Sequence, residues 1–553
     1  MPAADATPEG WSHPAQLGPY AVDVLHYGSG TDLRRPHYRQ VDAVSQSVDL
    51  SEHLSLSPAR RLYWGLTAHT VPLNARVHMP RARTAGERFP LILMAHGSSS
   101  MTVDSELGYD YLGRHLASRG FIFVSLDMNF LNPIGLGPPT GAMEARARLF
   151  LHHLRQWRAL DTTPGPFHGR LDHTRVVLAG HSRGGEAALA AAVLHEWKLS
   201  FLWQYGDLDD ATGFVRAVVA LAPTDGRYPW HGRRPASQST SYLVVHGSHD
   251  GDVLAFEGLR SFARTRLLSK RLVKTAVFVH RANHGQWNTQ WGERDHGISS
   301  SRILDLSRHL PGRQQRRLAE VLMAAFIEGT VLERPGSLRV FREPDVRDVW
   351  FPGLGLVTRY QDGRFLELAG FTEDERLTTG AIAGVSIGVH GADEWREGWL
   401  RFRARGWGHQ HERVAEIAWR GRARLDVHLE PGVLDGVQDR SELHVALAAE
   451  KPAYATGWRI EVEDRAHQMA SVALPDPDAL RPPLPVRIFR DPVTEDETFA
   501  YPSDIILQSV IVPMRRLRAA NPSLSLDQLQ RISLILDSAE RQRLYIDAIG
   551  VFL

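Results

Sequence analysis

Between about residues 70 and 330 the chain alternates short, near-continuous apolar runs with stretches of helical periodicity. The runs are Leu91–Ala95, Phe121–Leu126, Val176–Ala179, Val215–Leu221, Tyr242–Val245 and Ala276–Val279. Runs that are apolar almost throughout, rather than at every second residue, predict strands buried on both faces, as in a parallel sheet covered by helices. Helices are expected at Tyr109–Ser118, Ala142–Leu160, Glu186–Leu199, Phe256–Ser269 and Gln314–Glu328. Residues 1–70 form an N-terminal extension rich in Pro, Gly and His, with extended stretches such as Tyr20–Leu25. After about residue 335 the helical period fades and turn-punctuated alternation takes over, at Trp399–Arg403, Arg424–His428, Leu443–Leu447 and Trp458–Val462. This spacing predicts an antiparallel β-sandwich. The expected organisation is therefore an α/β domain over 71–335 and an all-β domain over 345–553, with a boundary between Gly329 and Trp350.

Length and composition agree with several globular domains: 553 residues, 43% hydrophobic and 23% charged. The 64 basic and 63 acidic residues leave a net charge of +1, without the basic surplus that nucleic-acid binding draws on. There is no cysteine, which excludes disulfides, thiolate metal sites and a thiol nucleophile. No apolar run is long enough to span a membrane, and the first residues lack the basic and apolar parts of a secretory signal. A soluble cytoplasmic protein without metal or cofactor is the expectation; oligomeric state is left open.

The sharpest chemical signal is Gly180-His-Ser-Arg-Gly184, between the Val176–Ala179 strand and an Ala-rich helix. A G-x-S-x-G motif in that setting makes a sharp strand-to-helix turn that lifts Ser182 above the sheet. Gly384-Val-Ser-Ile-Gly388 matches the same pattern but has no helix after it, and is expected to be structural. A serine hydroxyl needs a base, and the base an orienting acid. Asp250 follows the Tyr242–Val245 strand, and His284 follows the Ala276–Val279 strand. Asp252 is an alternative acid and Asp225 a weaker one; His249 and His280 are rival bases.

An oxyanion needs two main-chain N–H donors. One is expected from Arg183, after the nucleophile. The other is expected from Ser98, with Ser99 as alternative, in the loop His96-Gly-Ser-Ser-Ser100. His96, Asp127, Asn129 and Trp287 lie just past strand ends and are candidate pocket residues. Phe130–Pro139, Phe201–Tyr205 and Trp291 are candidate apolar walls. The Arg183 side chain is a candidate for an acidic substrate group or a surface residue, and Glu186 a helix-start carboxylate. The adjacent His152 and His153 do not face one site, so no metal is expected there.

The order His96-Gly97, Gly180–Gly184, Asp250, His284 resembles the α/β-hydrolase superfamily. Over about residues 70–330 it is most similar to the branch of dienelactone-hydrolase-like, chlorophyllase-like and cutinase or polyester-hydrolase-like enzymes. The chain departs from dienelactone hydrolases proper in having Ser182 where they use cysteine, so their reaction is not implied. The resemblance implies a serine hydrolase of carboxylic esters acting through an acyl-enzyme on a small or polymeric ester. Amide or peptide hydrolysis and acyl transfer by the same residues are alternatives, as is a carbohydrate-binding protein on a non-catalytic scaffold. The stretches Ile532–Asp537 and Leu544–Leu553 resemble the closing strands of galactose-binding-like jelly rolls. Trp350, Trp395, Trp399, Trp407, Trp419 and Trp458 would serve sugar stacking or, the favoured reading, core packing.

Overall fold

The computed structural model describes residues 13–133, 137–200, 215–228, 234–295, 304–371, 376–401, 409–450, 457–474, 480–488 and 503–553. The expected segment Phe201–Tyr205, residues 134–136 and Trp407 lie outside the described residues.

The apolar runs build one ten-stranded sheet. In chain order its strands are β1 (Val22–Gly28), β2 (Ala43–Val44), β3 (Ala75–Pro80), β4 (Phe89–Ala95), β5 (Ile122–Leu126), β6 (Leu171–His181), β7 (Val215–Leu221), β8 (Ser241–Gly247), β9 (Val273–Val279) and β10 (Leu356–Asp362). Side by side they run β10-β9-β8-β7-β6-β4-β5-β3-β1-β2. The strands from β9 across to β5 are parallel. Strands β3 and β10 join antiparallel at either side of that block.

The helices that matter here are α1 (Pro58–Trp64), α2 (Asp110–Ser118), α3 (Ala142–Thr162), α4 (Arg183–Ser200), α5 (Gly258–Arg264) and α6 (Gly312–Val331). They explain why the central strands are apolar on both sides. Leu91, Leu93, Leu178 and Val244 pack into one core with Phe150 and Trp157 of α3 and Ala187 and Ala188 of α4. Their neighbours Ile92, Met94, Ala179 and Val245 point the other way, into a second core with Leu112 and Leu116 of α2 and Leu318 and Leu322 of α6. Successive residues of a strand face opposite sides, so covering both faces demands an unbroken apolar run.

Strands β1, β2 and β3 belong to the main sheet although they precede or only just enter the region 71–335. The sequence of β3, Ala-Arg-Val-His-Met-Pro, hides this membership because Arg76 has a dedicated partner that the sequence does not reveal. Arg76 makes a bidentate pair with Asp110 at the start of α2, at 2.7 and 2.9 Å. Likewise β10 lies past residue 345, where the all-β domain was expected to begin, yet hydrogen-bonds along the whole of β9.

Beyond β10 the chain forms an antiparallel, β-rich region around two long strands, His409–Leu429 and Leu529–Phe552. The stretches 532–537 and 544–553, expected as separate strands, are one continuous strand, because no Gly, Pro or Asn lies between them to turn the chain. The ladder is irregular at this point: Trp419 faces Gln542 and Gly421 faces Ser538, so residues 539–541 bulge opposite Arg420, with Gly421 at φ 83°. Trp419 and Trp458 are buried against each other, 5.7 Å between ring centroids, whereas Trp399 is half exposed. Gly384–Gly388 contributes to a strand, and Ser386 pairs with His428 across the ladder. The region is fused to the first sheet. Phe552 shares the second core with Tyr360 of β10, and Arg359 pairs with Glu412 and Asp547. Among the described residues no helix is long and apolar enough to cross a membrane.

Candidate active site

Strand β6 runs to His181 and α4 starts at Arg183, so Ser182 alone makes the turn. It does so at φ 55°, a left-handed conformation costly for any side chain but glycine's. The turn closes tightly: a Cβ on Gly180 would lie 2.1 Å from the carbonyl oxygen of Gly184. The Ser182 N–H donates to the Leu221 carbonyl at the end of β7, at 2.9 Å, which pins the turn to the sheet.

The loop after β4 packs directly against this turn. A Cβ on Gly97 would lie 2.5 Å from the Ser182 Cβ and 3.1 Å from its Oγ, so only glycine fits. The next residue, Ser98, has no main-chain acceptor for its N–H among the described residues. Arg183 is the first residue of α4, and the first N–H groups of a helix have no intrahelical partner. Two free donors therefore sit one residue from the touching pair Gly97 and Ser182.

The parallel neighbours β8 and β9 deliver the acid and the base. Asp250 Oδ2 accepts from His284 Nδ1 at 2.7 Å, and both side chains are buried. Asp250 Oδ1 accepts the N–H groups of Asp252 and Val253 at 2.9 and 2.6 Å. The main chain of the alternative acid thus orients Asp250, while the Asp252 side chain is exposed. Asp225 is engaged elsewhere, by Arg234 and Arg264. Among the rival bases, His280 Nε2 meets the Pro485 carbonyl at 2.8 Å and His249 Nδ1 meets Ser248 Oγ at 2.7 Å. The base loop reaches the serine turn through His181, whose ring lies 4.8 Å from that of His284 and 4.6 Å from that of Trp291. Burial disfavours the His284 imidazolium, but the charge and hydrogen bond of Asp250, with Asp252 and Asp295 behind it, outweigh this and push it up to about 9. His181, fully buried beside His284, is driven well below the usual histidine range and stays neutral.

The four candidate pocket residues are all buried and occupied within the fold. His96 Nδ1 donates to the Gly97 carbonyl at 2.8 Å, and its Nε2 accepts the Met128 N–H at 3.0 Å. Burial, with Arg146 nearby, pushes His96 down to about 3, so it supports the loop as a neutral ring. Asn129 donates through Nδ2 to both Glu106 and Asp127, at 2.6 and 2.7 Å. Asp127 is pushed up to about 7 by burial and by the Glu106 charge. Trp287 turns inward on the short helix after His284 and joins the second core with no exposed surface. A position just past a strand end places a residue near the site without saying whether its side chain faces solvent or the packed layer beneath.

Two residues that hold this frame, Arg146 and Arg60, have no counterpart among the residues singled out from the sequence. Arg146 of α3 is fully buried and donates to the His96 carbonyl and to Asn132 Oδ1, at 3.2 and 2.6 Å. Arg60 of α1 donates to the Phe130 and Asn132 carbonyls at 2.8 and 2.6 Å. Glu186 accepts from Thr224 Oγ1 and from the N–H groups of Gly226 and Tyr228, tying the loop after β7 to α4. The half-buried Arg183 guanidinium has no hydrogen bond or ion pair among the described residues, and burial with Arg227 nearby lowers it from the usual arginine value. Among the described residues no group of three or more His, Asp or Glu side chains is placed to hold a metal.

A large, mostly parallel sheet covered by helices, followed by an antiparallel β-rich region, is consistent with the α/β-hydrolase fold. The chlorophyllase family model matches residues 66–227, which include the loop after β4 and the serine turn and end before Asp250 and His284. A stretch of 120 residues is 32% identical to part of the non-reducing polyketide synthase atr1 of Stereocaulon alpinum. It covers 21% of this chain and only 4% of that synthase. The family match supports a hydrolase.

Proposed function

We propose that the chain is a serine hydrolase of carboxylic esters, with Ser182 as nucleophile, His284 as base and Asp250 as orienting acid. The observations that support this reading are the buried Asp250–His284 hydrogen bond and the strand–turn–helix serine at φ 55°, whose neighbour His181 lies 4.8 Å, ring to ring, from His284. The chlorophyllase match points toward ester hydrolysis from a different direction.

In the proposed reaction Asp250 accepts the Nδ1–H of His284, which leaves Nε2 as the free acceptor. His284 takes the Ser182 proton as Oγ bonds to the acyl carbon, and the N–H groups of Arg183 and Ser98 hold the resulting oxyanion. The C–O bond to the alcohol breaks as His284 returns the proton to the leaving oxygen. Water, deprotonated by His284, then cleaves the acyl–Ser182 ester and restores the enzyme.

Turnover of p-nitrophenyl esters of graded acyl length by wild type and Ser182→Ala tests the reading. A loss of roughly 10⁴-fold or more in kcat is expected for the variant, whereas unchanged turnover would exclude Ser182.

The raised His284 also sets the pH dependence. Only the neutral imidazole accepts a proton, and it is the minor form below about pH 9. After subtraction of spontaneous hydrolysis, kcat/KM is expected to rise nearly tenfold per pH unit from 6 and level off near 9. A profile already flat at pH 7 would contradict this assignment.

A further inference from the structure

Asp295 is almost wholly buried, and no Lys or Arg pairs with it among the described residues. Its carboxylate is instead filled by four N–H donors. Oδ2 accepts the main-chain N–H of Gly251 at 2.7 Å and that of His284 at 3.0 Å. Oδ1 accepts the main-chain N–H of Gly285 at 2.7 Å and Asn283 Nδ2 at 2.8 Å. Gly251 follows Asp250, while Asn283 and Gly285 bracket His284. Both glycines make room for it: a Cβ on Gly251 would lie 3.1 Å from Oδ2, and one on Gly285 3.3 Å from Oδ1. A buried carboxylate is costly unless fully hydrogen-bonded, and every donor that satisfies this one comes from the acid loop or the base loop. On the far side the base loop is held by α6, where Gln315 exchanges two hydrogen bonds with the main chain of Asn283, at 3.0 and 2.8 Å.

We propose that Asp295 is a positioning residue for the reaction: one buried carboxylate that clamps the loop carrying Asp250 to the loop carrying His284 and so fixes the hydrogen bond between them. The inference rests on the serine-hydrolase reading. Asp295 does not touch the reacting atoms and acts in two ways. It ties together the far ends of two loops whose bases are already joined by the His249 N–H on the Ala282 carbonyl, at 2.9 Å, and the Arg281 N–H on Ser248 Oγ, at 2.7 Å. Burial and the Asp250 charge push Asp295 itself up to about 7, so near the His284 midpoint it places a second negative charge behind that ring, whose other ionisable and charged neighbours are Asp250, Asp252 and His181.

Asp295→Asn separates these effects from a loss of folding. An amide has one acceptor oxygen, so in either orientation its NH2 group faces two N–H donors. With folded protein counted by active-site titration, kcat is expected to fall roughly 10–100-fold with KM within about twofold. The midpoint of the pH profile is expected to drop by about half a unit or more, because a charge that favours the imidazolium is gone. A purely structural role would reduce the number of active sites and leave that midpoint in place. If Asp295→Asn does not fold, Asn283→Ala removes one donor from the carboxylate and keeps three, and a loss of about threefold in kcat is expected. Unchanged kcat and pH midpoint in the folded variant overturn the proposal. Ser182→Ala, measured in parallel, separates the two levels. If it is inactive while the Asp295 variant is unaffected, the clamp alone fails; if it is fully active, the serine reading and the clamp fall together.

Discussion

Replacing Asp250 with Asn is expected to lower kcat by about 10⁴-fold with little change in KM or stability. The size follows from the hydrogen bonds around this side chain. Oδ1 is held by the N–H groups of Asp252 and Val253, which require an acceptor. In the Asp250→Asn variant the amide therefore keeps its oxygen there and turns its NH2 toward His284 Nδ1. That nitrogen must then accept, which moves the ring proton to Nε2, the atom that has to receive the Ser182 proton. The ring stays in place with the wrong tautomer. Steady-state kinetics with a short-chain p-nitrophenyl ester read the loss, and thermal unfolding reads the stability. A decrease under tenfold would mean that Asp250 does not orient the base.

Arg359→Ala is expected to destabilise the protein by about 3–5 kcal/mol. Arg359 lies on β10, buried between Glu412 and Asp547 of the two long strands of the β-rich region. Its removal leaves two carboxylates in a low-dielectric setting beside Lys274, which burial and Arg359 already push down to about 8. Burial raises Glu412 above its ordinary value even in the intact cluster. A carboxylate whose folded pKa exceeds the unfolded one costs stability once pH rises past the unfolded value. The loss should therefore be larger at pH 8 than at pH 5. Urea unfolding at the two pH values checks both size and direction; equal losses would mean that buried charge is not the cause.

Much of the first sheet was legible because its information is local. A run such as Val215–Leu221 is apolar at every position but one and stands as a strand over the same residues. β3 and β10 were not legible, because Arg76 and Arg359 look exposed until Asp110, Glu412 and Asp547 are brought to them. The same division runs through the candidate site. The serine turn is a contiguous motif, and Asp250 and His284 follow recognisable strands. The choice between Asp250 and Asp252 was not readable, because two main-chain N–H groups decide which carboxylate turns inward. Arg146 did leave a trace: it falls on the face of α3 shared with Ala142, Leu149 and His153, all buried. Asp295 left none, since its partners belong to two loops and its surrounding sequence has the composition of an ordinary polar turn.

The central claim is that Ser182 is a nucleophile activated by its surroundings. Incubation with a fluorophosphonate, followed by intact-mass and peptide mass spectrometry, tests it most directly. The account predicts one phosphonyl group per chain, on Ser182, with fluoride released, slowed by excess ester substrate and absent in Ser182→Ala. Ester turnover that persists with Ser182 unmodified, or with the adduct on another residue such as Ser386, would contradict it.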